Sequence, residues 1–186
     1  MRKVYFFNMM SLDGYFEGPG HNLDWHSVDE EFNDFAIQQL QASDLIVFGR
    51  VTYSMMAEYW PTPQSIEDDP EVANMMNETP KIVFSRTLSL AAWQNTRLVS
   101  SDPAEELRRL KQLPGKDIAI FGSAELAEGL LSAAGVIDEL RVLVAPILLG
   151  SGTPLFKTGP EAIQLALADV RRFGNGNVLL TYTLPG

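Results

Sequence analysis

In three segments of the 186-residue sequence, a short apolar run is followed directly by residues drawn from glycine, arginine, serine and threonine. Arginines, hydroxyl side chains and the backbone N–H groups of a helix start are the groups that bind phosphate in proteins. Because the carboxyl ends of parallel strands meet at one edge of a sheet, the three segments could form one site for a phosphorylated ligand. The segments are Phe48-Gly49-Arg50-Val51-Thr52, Phe84-Ser85-Arg86-Thr87 and Phe121-Gly122-Ser123-Ala124-Glu125.

Each segment also has a simpler explanation. A glycine after a strand commonly makes a tight turn, an arginine there is commonly a solvated charge, and Ser85 and Ser123 could cap turns or helices. Neither the dinucleotide motif G-x-G-x-x-G nor the P-loop lysine motif occurs in the sequence. The prediction of a phosphate site therefore depends on the coincidence of three similar turns.

The elements that must position these turns alternate between strand and helix patterns, and strands then follow at the C-terminal end. Strands are predicted at 4–10, 45–48, 81–84, 96–99, 118–121, 140–145 and 147–149. A hairpin is predicted from two further strands, 163–172 and 178–183, on either side of the turn Gly174-Asn175-Gly176. Helices are predicted over 28–41, after Gly49, through 72–76, from Asp102 and through 126–131. This order predicts a three-layer αβα fold of the α/β class, with a mixed, mainly parallel central sheet and a C-terminal antiparallel hairpin.

Three of the helix boundaries have a local signal. Ser27 and Glu30 have the spacing of a capping box, which predicts the start of the first helix. Asp102-Pro103-Ala104-Glu105 combines an N-cap with proline at the first helical position and glutamate at the third. Trp60-Pro61 predicts the end of the helix that follows Gly49.

Composition excludes several classes of function. With 14 Lys and Arg against 24 Asp and Glu, the net charge of −10 disfavours nucleic acid and anionic membranes as partners. The absence of cysteine excludes thiolate catalysis and cysteine metal sites, and two histidines predict no metal centre. No stretch resembles a signal peptide or a membrane span, so we expect a cytoplasmic protein. The length favours a single domain over residues 1–186.

Five blocks, in order, resemble the dihydrofolate-reductase-like family, and in particular the stand-alone relatives of the C-terminal reductase domain of the riboflavin-biosynthesis deaminase/reductase. The blocks are SLDGYFEGPGHNLDW, FGRVTY, KIVFSRTL, IAIFGSAELAEGLL and IDELRVLVAPILLGSGTPLF, and they extend over nearly the whole chain. The resemblance implies a mixed sheet flanked by helices, NADPH as the hydride donor, and a homodimer.

The resemblance also implies roles for the three turns. The turn around the adenosine side and the pyrophosphate matches Gly49, Arg50 and Thr52. The turn around the 2′-phosphate matches Ser85, Arg86 and Thr87.

The glycine-rich pyrophosphate turn of the family matches Phe121, Gly122, Ser123, Ala124, Glu125 and Leu126. The family usually has successive glycines here, whereas this sequence has Gly122 followed by Ser123 and Ala124. A serine adds little bulk and can donate a hydrogen bond, so we expect the cofactor to be tolerated.

On the substrate side, the resemblance implies that Asn8 and Met9 lie beside the nicotinamide. It also implies that the loop from Ser11 to Trp25 closes over the reacting centre. Hydride transfer to a C=N bond also needs a proton from a positioned acid or an ordered water. The candidate acids are Asp13, Asp24, Asp29 and Glu30.

These residues keep alternative interpretations. Glu30 lies where dihydrofolate reductases keep a substrate carboxylate, but it also fits a capping box, and Asp13 could simply form a turn. Trp25 is either a platform for the substrate or an anchor in the core. His26 is expected at the surface rather than as a proton donor.

The sequence therefore predicts an NADPH-dependent reductase of a small heterocycle, which is pterin- or dihydrofolate-like or 5-amino-6-ribosylaminopyrimidine-like. A ribose phosphate would need a second basic cluster, and His21 is the only weakly basic residue of the first-strand loop. The alternative is a nucleotide- or flavin-binding protein of the same fold without reductase activity, with FMN or no cofactor. The methionine pairs, such as Met55-Met56, could line an adaptable pocket or fill the core.

Overall fold

A computed structural model describes residues 1–156 and 162–185 of the chain. The strands are β1 (Val4–Ser11), β2 (Tyr15–Glu17), β3 (Ser43–Gly49), β4 (Lys81–Phe84), β5 (Thr96–Val99), β6 (Asp117–Phe121), β7 (Glu139–Ala145), β8 (Thr153–Pro154), β9 (Ala166–Arg172) and β10 (Val178–Thr183). The helices are α1 (Glu30–Ala42), α2 (Arg50–Tyr59), α3 (Pro63–Asp68), α4 (Pro70–Glu78), α5 (Pro103–Lys111) and α6 (Ala124–Leu131).

The main sheet has eight strands in the order β5-β4-β3-β6-β1-β7-β10-β9. The strands from β5 to β7 in this order are parallel, and β10 and β9 add to β7 as an antiparallel hairpin. A short antiparallel pair of β2 and β8 stands apart from this sheet. The predicted mixed, mainly parallel sheet with a C-terminal hairpin is confirmed.

Both faces of the sheet are covered by helices. Leu45 and Val47 of β3 point into a cluster that includes side chains of α5 and α6. Ile46 and Phe48 point to the opposite face, where side chains of α1, α2 and α4 surround them. Because successive side chains of a strand alternate between faces, a wholly apolar strand implies a cover on both sides. The three-layer arrangement is therefore confirmed.

The predicted capping box at the start of α1 is wrong. The carboxylate of Asp29, not the hydroxyl of Ser27, accepts the backbone N–H of Phe32 at 2.9 Å, and the helix begins at Glu30. The carbonyl of Ser27 accepts hydrogen bonds from the side-chain amides of Asn175 and Asn177 instead. This contact with the β9–β10 hairpin holds Ser27 outside the helix.

The strand predicted at 147–149 is also wrong. β7 ends at Ala145, and the next residue, Pro146, has no N–H for the ladder. The N–H of Ile147 turns back to the carbonyl of Ala145 at 2.8 Å. In the hairpin, β9 begins at Ala166 rather than at 163, and residues 157–161 lie outside the described part of the chain.

The predicted helix ends are mostly confirmed. α2 ends at Tyr59, directly before Trp60-Pro61, and α5 begins at Pro103 with Asp102 as its N-cap. The pattern of Leu126, Leu130 and Leu131 predicts a helix that stops near Gly135, whereas α6 already ends at Leu131. α4 is longer than the predicted 72–76. Among the described residues no helix has the length and apolar character to cross a membrane.

Candidate functional site

Two of the three predicted turns pack directly against each other at the carboxyl edge of the sheet. Val47 of β3 pairs with Ile120 of β6, so the turns that follow these strands are neighbours. A methyl group at Gly49 would lie 2.7 Å from Cβ of Ser123, and one at Gly122 would lie 2.7 Å from Cγ2 of Thr52. Both glycines are therefore required by the close approach of the two turns.

The two helices that leave these turns begin side by side. Ser123 has a φ of 63°, and its Oγ accepts the N–H of Leu126 as the N-cap of α6. The N–H groups of Ala124 and Glu125, in the first turn of α6, have no intrahelical acceptor. α2 starts after Gly49, which has no side chain to cap it. Two helix starts with partial positive charge therefore face the same edge, which favours an anion there.

The third predicted turn lies at the same edge but further out. Gly49 pairs with Phe84 across β3 and β4, so Ser85 lies beside Arg50 along the edge. Oγ of Ser85 accepts the backbone N–H groups of Thr87 and Leu88, at 3.2 and 2.9 Å. Arg50 and Arg86 are both exposed.

A cavity of about 700 Å³ lies next to the paired turns. Its wall is formed by the end of β1, the loop that follows it, one side of α1, parts of α2 and α4, and residues 121–125. Asn8, Met9, Thr52 and the segment Phe121–Glu125 lie in this wall, whereas Ser85, Arg86 and Thr87 do not. The structure thus brings these eight predicted site residues together around one cavity, while Gly49, Arg50 and Leu126 lie next to it without lining it.

Asn8 lies in the cavity wall and carries a polar atom without a partner. Its Oδ1 accepts the N–H of Met9 at 2.9 Å, which fixes the orientation of the amide. Its Nδ2 is buried and has no hydrogen-bond acceptor among the described residues. Because a buried donor without a partner is costly, this amide is a candidate donor to a ligand.

His26 has a similar arrangement, although the sequence analysis expected it at the surface. It lies in the cavity wall, and its Nε2 is buried without a partner among the described residues. Burial lowers the pKa of His26, and a hydrogen bond with the backbone of Phe16 opposes this shift only partly. The imidazole is therefore neutral at pH 7, with a hydrogen bond to the backbone of Phe16 and with Nε2 buried.

Glu17 is a cavity residue that the sequence analysis did not single out. Its Oε1 accepts hydrogen bonds from Oγ1 of Thr153 at 2.6 Å and lies 2.9 Å from Nδ1 of His21. Its side chain is buried because β2 pairs with β8, which lies far along the chain. The local sequence has no signal for that pairing, so nothing near Glu17 distinguishes it from a surface glutamate.

The two predicted catalytic carboxylates lie outside the cavity wall. Asp13 accepts hydrogen bonds from Oγ of Ser11 and from the N–H groups of Leu149 and Gly150, and the bond from Ser11 lowers its pKa. It therefore ties two loops together as a turn former. Glu30 is exposed at the first position of α1.

The other candidate acids have structural partners. Asp29 caps α1, and Asp24 is exposed and accepts a hydrogen bond from the side chain of Asn22. Trp25 packs on an aromatic and aliphatic cluster around Phe35 and does not line the cavity. Of the two interpretations of Trp25, the structure supports the core anchor.

The methionines are divided between both predicted roles. Met9, Met55, Met56 and Met76 lie in the cavity wall, and Met76 is at the same time buried in the core beside Phe48. Met75 packs against that core without reaching the cavity.

This strand order, together with a ligand cleft between the first strand and the start of α6, defines a dihydrofolate-reductase-like domain. The chain belongs to the RibD C-terminal domain family, whose model matches residues 2–179. The uncharacterized protein YyaP of Bacillus subtilis (strain 168) is 32% identical over 179 residues, which cover 95% of this chain and 92% of that protein.

Two solved structures have the same fold. A protein of Shewanella sp. PV-4, whose name assigns it provisionally to riboflavin biosynthesis, matches with a TM-score of 0.74 and 23% identity over 99% of both chains. A pyrimidine reductase-like protein of Corynebacterium diphtheriae matches with a TM-score of 0.66 and 17% identity, over 100% of this chain and 92% of that one.

Proposed function

We propose that this protein is an NADPH-dependent reductase of a small heterocyclic substrate. Membership of the RibD C-terminal domain family supports a reductase of the pyrimidine-reductase type. The observation that carries the cofactor assignment is the pair of helix starts, α2 after Gly49 and α6 after Ser123, held side by side at the end of the parallel strands. Such a pair suits the pyrophosphate of a dinucleotide.

The residues around this edge are compatible with NADPH. The pyrophosphate would be held by the turn of Gly122, Ser123 and Ala124 and by the start of α2. Arg50 would add a charge there, and Ser85, Arg86 and Thr87 would surround the 2′-phosphate. The rest of the proposed contacts come from Met9, Gly49, Thr52, Phe121, Glu125 and Leu126.

In this proposal NADPH would supply a hydride, the protein would orient the substrate, and an ordered water would supply the proton. Asn8 would donate a hydrogen bond from Nδ2 to an acceptor on the bound ring. His26, whose burial keeps the imidazole neutral, would accept a hydrogen bond at Nε2 from an N–H of that ring. Glu30 and Asp13 are not assigned as the acid because neither lies in the cavity wall.

The loop between β1 and α1 would exclude water from the reaction. Phe16 and Leu23 of this loop lie in the cavity wall, and β2 is held down by its pairing with β8. A dry site strengthens each polar contact within it.

The net charge of −10 supports a small molecule rather than a nucleic acid as the partner. We propose that the protein acts in the cytoplasm.

We also propose a homodimer formed through the edge strand β9. Leu167 and Val170 of this strand are 57% and 52% exposed, and the strand has a neighbour on one side only. β9 also carries Asp169, Arg171 and Arg172, so the surface proposed for the dimer combines exposed apolar and charged side chains on an unpaired strand edge.

The test is a calorimetric titration of the protein with NADPH, NADH and FMN. We expect a preference for NADPH, and Arg86→Ala should weaken NADPH binding about tenfold while changing NADH binding little, because NADH lacks the 2′-phosphate. Arg50→Ala should weaken the binding of both NADPH and NADH. Arg108→Ala, on the distant helix α5, should weaken the binding of neither. A preference for FMN, or no binding of a nicotinamide cofactor, would refute the proposal.

A further inference from the structure

The wall that α1, α2 and α4 contribute to the cavity is mainly apolar, and its polar side chains are Asn33, Gln39 and Thr52. We define the apolar subsite as the side chains of Leu40, Met55, Met56, Tyr59, Val72 and Met76, all of which line the cavity. Three methionines make the subsite adaptable in shape, because their side chains are unbranched and polarizable.

The polar atoms of the aromatic residues at this wall already have partners within the protein. The hydroxyl of Tyr59 donates to the carboxylate of Asp68 at 3.2 Å. Nε1 of Trp60, which also lines the cavity, donates to Sδ of Met56 at 3.1 Å. The subsite therefore presents hydrocarbon and sulfur to a ligand.

The charged residues of the described cavity wall are all acidic. Glu17, Asp68, Asp69 and Glu125 line the cavity, and no Lys or Arg does so among residues 1–156 and 162–185. The two histidines do not compensate, since the burial of His26 keeps it neutral and His21 lies beside Glu17. A phosphate placed beside Glu17, Asp68 or Asp69, away from the start of α6, would be desolvated next to carboxylates.

The helix starts on this side of the cavity offer no anion site either. α1 is capped by the carboxylate of Asp29, and α4 is capped by Asp69, which accepts the N–H of Val72 at 3.0 Å. Both helix starts are thus neutralised by the protein itself. The start of α6 and that of α2 are the positions assigned above to the cofactor.

We infer that the substrate is an unphosphorylated heterocycle, neutral or cationic, with an aromatic or alkyl substituent that packs in the apolar subsite. This inference depends on the proposed function for the identity of the reaction. It favours an unphosphorylated compound over the ribose-phosphate class of substrate that the family resemblance had left open. The subsite binds the substituent, and Asn8 and His26 bind the polar ring.

The test compares two compounds that share the uracil ring, 6-benzylaminouracil and 6-ribitylaminouracil 5′-phosphate. Their affinities for the full chain are measured by calorimetry, with and without saturating NADPH, so no turnover is needed. We expect the benzyl compound to bind at least about tenfold more tightly, because its ring leaves water and no phosphate is desolvated. A preference for the phosphate, or no saturable binding of the benzyl compound, would overturn the inference.

Two pairs of variants locate the effect. Met55→Ala should lower the affinity for the benzyl compound about five- to tenfold. Met75→Ala, which removes the same atoms from a side chain that does not line the cavity, should leave that affinity unchanged. Asp68→Lys should strengthen binding of the phosphate compound several-fold, and Glu67→Lys, with the same change of charge outside the wall, should not. Equal effects within either pair would contradict the assignment of the subsite.

The affinity for NADPH alone separates the two proposals. If NADPH binds and the phosphate compound is preferred, the cofactor assignment stands and the substrate inference fails. If NADPH does not bind but the benzyl preference and the effect of Met55→Ala remain, the proposed reductase fails and the subsite stands.

Discussion

Replacement of Gly49 by alanine tests the contact between the two turns of the cofactor edge. The φ of Gly49 is −80°, a value that alanine adopts freely, so the backbone itself opposes nothing. The new methyl group would overlap Oγ of Ser123 and lie 2.7 Å from its Cβ. Ser123 must therefore move, and its Oγ would lose the N–H of Leu126 that it caps.

The expected cost follows from these two effects. Loss of a serine N-cap costs about 1 kcal/mol, and overpacking at a tight contact costs about 1–3 kcal/mol. Gly49→Ala should therefore lower the free energy of unfolding by about 2–4 kcal/mol. The control is Gly129→Ala in α6, where the added methyl meets no atom within 4 Å. That variant should stabilise the protein by up to about 1 kcal/mol, because alanine is the better helix former.

Urea denaturation of a double-mutant cycle measures the contact directly. Ser123 has a left-handed backbone, so Ser123→Gly relieves strain and also removes the side chain that Gly49→Ala would strike. In the Ser123→Gly background, Gly49→Ala should cost less than about 1 kcal/mol. If Gly49→Ala costs the same in both backgrounds, the two turns do not meet as described, and the proposed pyrophosphate site loses its basis.

Two further perturbations test the burial of His26 and the edge strand. Burial lowers the pKa of His26 in the folded protein below its ordinary 6.5. As the pH falls below 6.5, the unfolded chain therefore takes up a proton that the folded protein does not, and the stability that His26 contributes above pH 6.5 is lost. His26→Gln should flatten the loss of Tm between about pH 7 and 5, and a slope equal to that of the unmodified protein would contradict the burial. Val170→Lys in β9 should convert the proposed dimer to a monomer in light scattering, while Leu90→Lys, at another exposed apolar position, should leave it intact. A monomeric wild-type protein would refute the dimer.

The sequence by itself determined most strands of the main sheet and the helices between them, because these depend on local patterns; β2, β8 and α3 were not predicted. The apolar runs of β1, β3, β4 and β6 and the start of α5 at Asp102 follow from periodicity and capping within a few residues. The parallel sheet follows from the alternation of strand and helix, and with it the meeting of the turns after β3 and β6.

Sequence patterns failed where a distant contact decides the local structure. The Ser27–Glu30 spacing is a valid capping signal, but the side chains of Asn175 and Asn177 hold the carbonyl of Ser27, and Asp29 caps the helix instead. The strand predicted after Ala145 ends because Pro146 cannot donate to the ladder.

Only the tertiary structure decided which residues face the cavity. The sequence pointed to Asp13 and Glu30, and the fold uses Asp13 in a turn and leaves Glu30 in solvent. Glu17 and His26 enter the wall because of the loop between β1 and α1 and, for Glu17, the pairing of β2 with β8. Burial of a polar side chain depends on what packs over it from far along the chain, and no local pattern records that.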